Sequence, residues 1–373
     1  MASNPTPRSG RSHIVLAGGG TAGHTSPLIA TAEQLREHPD VAVTALGTTR
    51  GLEVRVVPDA GIDLELIDAG PLPRSVGADL FRLPLDLLGW VRGAKQTLRR
   101  LGADAVVGFG GYVSTPVYLA ARQLRLPILV HEQNAVPGIA NKIGARFAEA
   151  TLTTFPDTPL PGAETIGLPL RREIADLDRA AARPAARAHF GLRDDLPVLL
   201  VSGGSQGAAS INTAVLGARD ALLAAGVQVL HVLGPDKLTE EHLQVTDPDT
   251  GAGYHPVGYV DRMQDAYAAA DLMIGRSGAG TVVETGVVGL PTVLVPFPHG
   301  NGEQVRNAEE LVRAGGARLV ADSAFTSTWI QAEVIDMVTD PAVLDHMSAA
   351  ARSGTPGDAA RVLAQRALAA ARR

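Results

Sequence analysis

Three glycine-rich stretches carry most of the chemistry legible in this chain of 373 residues. Gly18-x-Gly20-x-x-Gly23 follows an apolar run and opens a helical pattern. Gly108-Phe-Gly-Gly-Tyr-Val-Ser114 does the same, and Gly203-Gly-Ser-Gln-Gly207 repeats the arrangement later in the chain. Glycines in such turns let backbone amides approach a phosphate, whose charge settles at a helix N-terminus. The first stretch matches the dinucleotide fingerprint, which also needs an acid at the end of the second strand to hold ribose hydroxyls. That region reads Leu46-Gly47-Thr48-Thr49, so NAD is not expected. Three such loops exceed what one fold needs for turns and point to two phosphorylated ligands.

Polar clusters stand at other strand ends. His131-Glu132-Gln133-Asn134 follows the apolar run Pro127–Val130, where four polar side chains are costly unless they reach a cleft or each other. Gly275-Arg-Ser-Gly-Ala-Gly-Thr-Val-Val-Glu284 is again strand, turn and helix. Glu284 in the first turns of that helix is placed to accept bonds from vicinal ribose hydroxyls; the plainer reading is an acid favoured by the helix dipole. Pro296–Gln304 adds His299, Asn301, Glu303 and Gln304, a set suited to a polyhydroxylated ligand.

The elements that must position these loops alternate. Strands are expected at His13–Ala17, Val41–Leu46, Asp63–Ile67, Ala105–Gly108, Ile128–His131 and Thr151–Thr153, then at Val198–Val201, Val227–Val232, Leu272–Ile274, Thr292–Val295 and Arg318–Val320. Helical patterns fill Pro27–Glu37, Pro137–Phe147, Ala208–Ala224, Gly280–Val288 and Glu303–Ala314, and Asp358–Arg373 reads as an amphipathic helix. Alternation of this kind gives parallel sheets with helices on both faces. The restart of the pattern at Leu199–Gly207 gives two Rossmann-like domains in tandem. The boundary is expected near Gly167–Pro169, before the Ala/Arg/Pro-rich segment Ala180–His189, and Asp236–Gly253 reads as a polar loop.

Composition narrows the function. Hydrophobic residues make up 45% and charged residues 19%, which excludes wholesale disorder. No Cys is present, which excludes a disulfide scaffold, thiolate metal ligation and cysteine catalysis, and fits a reducing cytoplasm. The net charge of −6 argues against a dedicated nucleic-acid binder. The first twelve residues are polar with no apolar run after them, so a secretory signal is not expected. No apolar stretch is long enough for a spanning helix.

Taken in order, LAGGGTAGHTSP, VVGFGGYVSTP, HEQNAVPG, SGGSQGA, RSGAGTVVE and PFPHGNGEQVRNA make the chain similar to the MurG glycosyltransferase family from His13 to about Arg352. The combination is specific, although each motif alone is not. The resemblance implies an α/β GT-B fold, two Rossmann-like parallel-sheet domains facing each other across a cleft. Residues 1–168 would form an acceptor and membrane-side domain, 169–355 a UDP-GlcNAc-binding domain, and a helix at about 356–373 would pack back on the first. It implies inverting transfer of GlcNAc from UDP-GlcNAc to the 4-hydroxyl of MurNAc in lipid I, giving lipid II and UDP. Matching motif to motif, donor contacts fall on Thr21, Ala22, Gly23, Asn134, Arg171, Ser205 and Val260. They continue through Ala279, Gly280, Thr281, Val282, Val283 and Glu284 to Gln304. Acceptor diphosphate falls at Gly20, Gly111 and Tyr112. Two departures stand out: Leu168 where the family often has Asn, and Glu303 where it often has the first of two Gln.

Inverting transfer needs a base for the acceptor hydroxyl and stabilisation of the leaving diphosphate. His24 is the first candidate base, or its orienting partner, because imidazole titrates near neutral pH. A role confined to binding phosphate is the competing reading. Glu132 is the second candidate. Arg171 and the amides around Ser205 would offset charge on UDP. No cofactor or metal is called for. A sugar-nucleotide 2-epimerase of the non-hydrolysing kind, and a non-catalytic sugar-nucleotide-binding subunit that recruits a partner to the membrane, are the alternatives.

The resemblance further implies a peripheral enzyme on the cytoplasmic face of the cell membrane, where its lipid-linked acceptor lies, with an anionic lipid surface and cell-wall synthesis and division proteins as partners. Residues 72–100 are the expected contact. Leu80, Leu83, Leu87, Val91, Ala94, Leu98 and Leu101 form one helical stripe assigned to the core. Phe81, Leu85 and Leu88 form another that continues as Arg92, Lys95 and Arg99. An apolar stripe running into a basic one suits an interfacial helix; the plainer reading is an ordinary helix whose second stripe packs under a loop.

Overall fold

The computed structural model describes residues 11–70, 78–235, 237–239, 242–299, 301–354 and 356–373, with the side chains of 78–82 outside the description. The chain divides into two compact units, Met1–Arg171 with Asp358–Arg373, and Arg172–Gly357.

The first unit is a parallel sheet of β1 (Ser12–Ala17), β2 (Val41–Gly47), β3 (Asp63–Leu66), β4 (Ala105–Gly108), β5 (Ile128–Glu132), β6 (Ala150–Thr153) and β7 (Ala163–Thr165). Their order is β3-β2-β1-β4-β5-β6-β7. Its helices are α1 (Ala22–Arg36), α2 (Glu53–Asp59), α3 (Ala78–Leu101), α4 (Ser114–Leu124) and α5 (Ile139–Gly144). The period-two alternation of a strand sends β1 to two separate cores. Ile14 and Leu16 pack with Leu28 and Leu35 of α1, while Val15 and Ala17 pack with Val91, Ala94 and Leu98 of α3 and Val117 of α4. The C-terminal helix Ala359–Ala371 joins the first of these cores through Leu363, Ala364 and Ala367.

The second unit contains α6 (Arg172–Ala175), α7 (Arg179–Phe190), α8 (Ala209–Ala224), α9 (Met263–Ala269), α10 (Ala279–Val288) and α11 (Glu303–Ala314) around a second sheet. Its strands are β8 (Val198–Ser202), β9 (Gln228–Val232), β10 (Val245–Thr246), β11 (Gly253–Val257), β12 (Leu272–Gly275), β13 (Thr292–Leu294) and β14 (Ala317–Leu319). The order is β10-β11-β9-β8-β12-β13-β14, and β10 is antiparallel to β11.

Several expectations change. The first helix begins at Ala22 rather than Pro27, and Pro27 lies inside it. A proline reads as a helix start because its missing N–H costs nothing there, and that preference moved the expected start five residues late. The expected helix over Pro137–Phe147 forms only as Ile139–Gly144. The polar loop at 236–253 contains β10, and β11 and β7 were not foreseen, because His255 and Pro256 interrupt one apolar run and β7 is wholly exposed. The Ala/Arg/Pro segment is α7, started by the Asp178 side chain, which accepts from Ala181 N at 3.1 Å.

Candidate functional site

In an open parallel sheet ligands bind beyond the strand carboxyl ends, where the chain reverses its order. In the first unit that point lies between β1 and β4, and the first two glycine loops leave from those two strands. Phe109 N donates to Ala17 O at 2.7 Å. The Ser114 hydroxyl donates to Ala17 O at 3.0 Å and Gly110 O at 2.6 Å. Gly110 and Gly111 both have positive φ. A Cβ on Gly111 would lie 2.5 Å from Gly19 O, and one on Gly110 would lie 3.2 Å from His24 Nε2. Only glycine lets the two loops touch and leaves His24 its place.

His24 sits in the first turn of α1 with Nδ1 3.1 Å from the Thr21 hydroxyl. Burial lowers its pKa below the ordinary histidine value, opposed by a backbone hydrogen bond at Gly19 and by the charge of Glu53. The ring is therefore neutral near pH 7 and able to take a proton. Thr21 and Gly23 are exposed and Ala22 is half-buried at the helix start. The N–H of Gly20 is donated to Glu53 at 2.7 Å. Tyr112 is 52% exposed beside Gly111.

Glu132 is buried at the end of β5. Its carboxylate accepts from Asn134 N at 2.9 Å, Gly138 N at 3.0 Å and Asn141 Nδ2 at 3.0 Å. Burial raises its pKa, and these bonds oppose the rise. Asn141 in turn accepts from the Tyr118 hydroxyl at 2.7 Å. The neighbouring His131 is fully buried against Gly167 O, with its pKa lowered by burial to about 4. This cluster orders loop 133–138 on which Asn134 rides. Leu168 is buried and Arg171 half-buried at the end of the unit.

In the second unit the switch point lies between β8 and β12. The loop after β8 exposes Ser205, and the loop after β12 runs into α10. At the start of α10, Ala279, Val282 and Val283 are buried while Gly280, Thr281 and Glu284 are half-buried. Glu284 accepts from the buried Tyr267 hydroxyl at 2.6 Å. Its Oε1 lies 3.8 Å from where a Cβ on Gly280 would stand, so the carboxylate leans back over the first turn. Val260 is buried just past β11. Gln304 accepts from Phe297 N at 2.9 Å and so closes the loop before α11. His299 is exposed, while the Asn301 side chain accepts from Glu303 N at 3.2 Å.

Four residues that hold these loops were not singled out from sequence: Glu53, Asn141, Tyr267 and Arg276. Arg276 donates to Val295 O and Pro296 O at 3.1 Å each, to the Ser210 hydroxyl at 2.8 Å, and to Asp322 at 2.5 Å. Arg276 stands within a quoted motif and Glu53 follows Gly47 and Gly51; those were the available signals.

On α3, Leu87, Val91, Ala94, Leu98 and Leu101 face the core. Leu85 and Leu88 are 74% and 66% exposed, and Arg92 and Arg99 are exposed further along. Lys95 donates to Gln123 at 2.9 Å. The side chains of Leu80 and Phe81 lie outside the described residues. No described helix is long and apolar enough to cross a membrane.

Two parallel sheets, each with glycine loops at its switch point, define a GT-B glycosyltransferase. Residues 14–153 match the glycosyltransferase family 28 N-terminal domain and 198–363 its C-terminal domain. The chain is 56% identical to the UDP-N-acetylglucosamine--N-acetylmuramyl-(pentapeptide) pyrophosphoryl-undecaprenol N-acetylglucosamine transferase of Cutibacterium acnes, over 96% of this chain and 97% of that one. It is 54% identical to the enzyme of the same description from Streptomyces avermitilis, over 91% and 93%. The crystal structure of Acinetobacter baumannii MurG superposes with a TM-score of 0.77 at 28% identity, over 96% of this chain and 99% of that one. The chain belongs to the MurG family and is an N-acetylglucosaminyltransferase.

Proposed function

We propose that this chain moves GlcNAc from UDP-GlcNAc to the 4-hydroxyl of MurNAc in lipid I, with inversion at the sugar C1, and that the loops at the two switch points do the work. The observations that carry the reading are, in one unit, His24 beside two touching glycine loops and, in the other, the half-buried Glu284 carboxylate near the start of α10. His24 takes the proton of the acceptor hydroxyl as that oxygen attacks C1 and the bond to the UDP oxygen breaks. The acceptor diphosphate lies along Gly111 and Tyr112, beside Gly20. Glu284 holds the uridine ribose, Gln304 reads the sugar, and Ser205 with its neighbouring amides takes the UDP phosphates. Thr21 to Gly23, Asn134 and Arg171 complete the donor contacts, and Arg171 offsets charge on the departing diphosphate. Glu132, its carboxylate bound by loop amides, orders Asn134 rather than meeting substrate.

The acceptor's undecaprenyl tail stays in a bilayer, so the enzyme works at the membrane. Exposed Leu85 and Leu88 followed by Arg92 and Arg99 support α3 as the contact, with apolar side chains at acyl level and arginines on lipid phosphate. Incubation of UDP-[14C]GlcNAc with a lipid I analogue tests the reading. One labelled disaccharide per UDP released is expected; UDP-GlcNAc that is bound without transfer would overturn it.

A further inference from the structure

Glu53 is a carboxylate with no exposed surface, and it stands at the end of the sheet that bears His24. An ionised carboxylate is costly to bury unless its oxygens are bonded. Here Oε2 accepts from Gly20 N at 2.7 Å, and Oε1 accepts from Thr48 N at 2.9 Å and the Thr48 hydroxyl at 3.0 Å. The space around it is made by glycines. A Cβ on Gly51 would come within 1.9 Å of its carboxylate, one on Gly19 within 2.3 Å, and one on Gly47 within 2.5 Å of its Cγ. The segment before α2, the end of β2 and the loop after β1 thus close on one side chain. The Gly20 N–H that a dinucleotide pyrophosphate would need is already taken.

We infer that Glu53 is a positioning residue for the transfer reaction: its carboxylate locks the loop Gly18–Gly20 and through it fixes His24 at the start of α1. Without that anchor a run of three glycines has no side chain to define its path, and the backbone freedom of glycine is large. A displacement of the base by about 1 Å costs catalysis up to about 100-fold. The charge also acts on the imidazole. Gly19, Thr21 and Gly110 lie against His24, and the second carboxylate at this sheet end, Glu132, is covered by Asn141. Glu53 is the acid that favours the protonated ring.

The inference rests on the proposed role of His24, and the test separates the two. Glu53→Gln keeps the shape but sets an amide NH2 against N–H donors and removes the charge. With UDP-GlcNAc and a lipid I analogue, kcat should fall about 10- to 100-fold, while UDP affinity, carried mainly by Glu284 and Ser205 in the other unit, changes little and the donor KM rises far less than kcat falls. The acidic limb of the pH–rate profile should move to lower pH, because the charge that raised the His24 pKa is gone. Gly51→Ala, which pushes the carboxylate off its donors, should reproduce the fall in kcat and reads the same split if Glu53→Gln does not fold. A folded Glu53→Gln with wild-type kcat and an unmoved limb overturns the inference. Equal losses in kcat and UDP affinity would also overturn it, since they mark a general loosening of the chain. His24→Ala with wild-type turnover would instead refute the role given to His24.

Discussion

Removing the Glu284 carboxylate should weaken every uridine-containing ligand by a common factor. The carboxylate is half-buried on the second turn of α10, oriented by the Tyr267 hydroxyl at 2.6 Å and open on the side of Gly280. A hydrogen bond to a charged group is worth about 1.5–3 kcal/mol, and 1.4 kcal/mol is tenfold in affinity. Glu284→Ala should therefore raise the Kd for UDP roughly 10- to 150-fold. It also strips the buried Tyr267 hydroxyl of this partner, at a stability cost of about 1–3 kcal/mol. Tyr267→Phe leaves the carboxylate in place without that anchor and should cost less affinity than Glu284→Ala. Isothermal titration with UDP and with uridine is the assay, read beside a urea denaturation curve. A contact to ribose predicts the same fold-loss for both ligands. Unchanged UDP affinity in folded Glu284→Ala, or a loss seen for UDP and not for uridine, would refute the assignment.

His24→Ala should lower kcat by about 100- to 10,000-fold with UDP affinity little changed, measured by turnover and titration on the same preparation. His24→Gln should lose the acidic limb of the pH–rate profile; a limb that persists excludes His24 as the titrating base. Stability should fall as pH drops below about 6.5, the ordinary histidine value, because burial lowers the pKa of His131 to about 4 and of His231 to about 3. The unfolded chain binds those protons first and is favoured in acid. Urea midpoints between pH 7 and 4 check this, and a flat midpoint would contradict it. Arg276→Ala should destabilise the chain by about 3 kcal/mol or more, since it removes the cationic partner of the mostly buried Asp322 carboxylate, to which the Ser210 hydroxyl also donates. Liposome co-sedimentation should drop for Leu85→Ser/Leu88→Ser on anionic vesicles while activity on a short-chain acceptor persists; equal sedimentation at low and high salt would remove α3 from the membrane.

The sequence made the strands at the core legible because apolar β-branched runs bounded by glycine leave little choice: Ala105–Gly108 is placed without error. Exposed or interrupted strands such as β7 and β11 carry no such signal. The three glycine loops were legible as strand-to-helix turns, since their spacing is local. What was not legible is which polar group each loop amide meets. Glu53 lies 33 residues beyond Gly20 in the chain, and the bond between them follows from β1 and β2 lying side by side, not from any motif. Likewise Tyr267 of α9 and Glu284 of α10 meet across the intervening β12, a bond no local motif announces. Glu132 stands out in the sequence as an acid at a strand end, but its donors, Asn134 N and Gly138 N from the following loop and Asn141 Nδ2 from α5, depend on a chain path the sequence does not reveal.

The linkage in the product tests the central claim most directly. The lipid I analogue is incubated with UDP-GlcNAc, and the purified product is examined by proton NMR and by digestion with a β-specific hexosaminidase. Inverting transfer at the 4-hydroxyl predicts a single new β-configured anomeric proton, a bond to O4 of MurNAc, and complete release of GlcNAc by the hydrolase. An α-configured linkage, attachment at another hydroxyl, or recovery of the donor as its 2-epimer with no disaccharide formed would contradict the account.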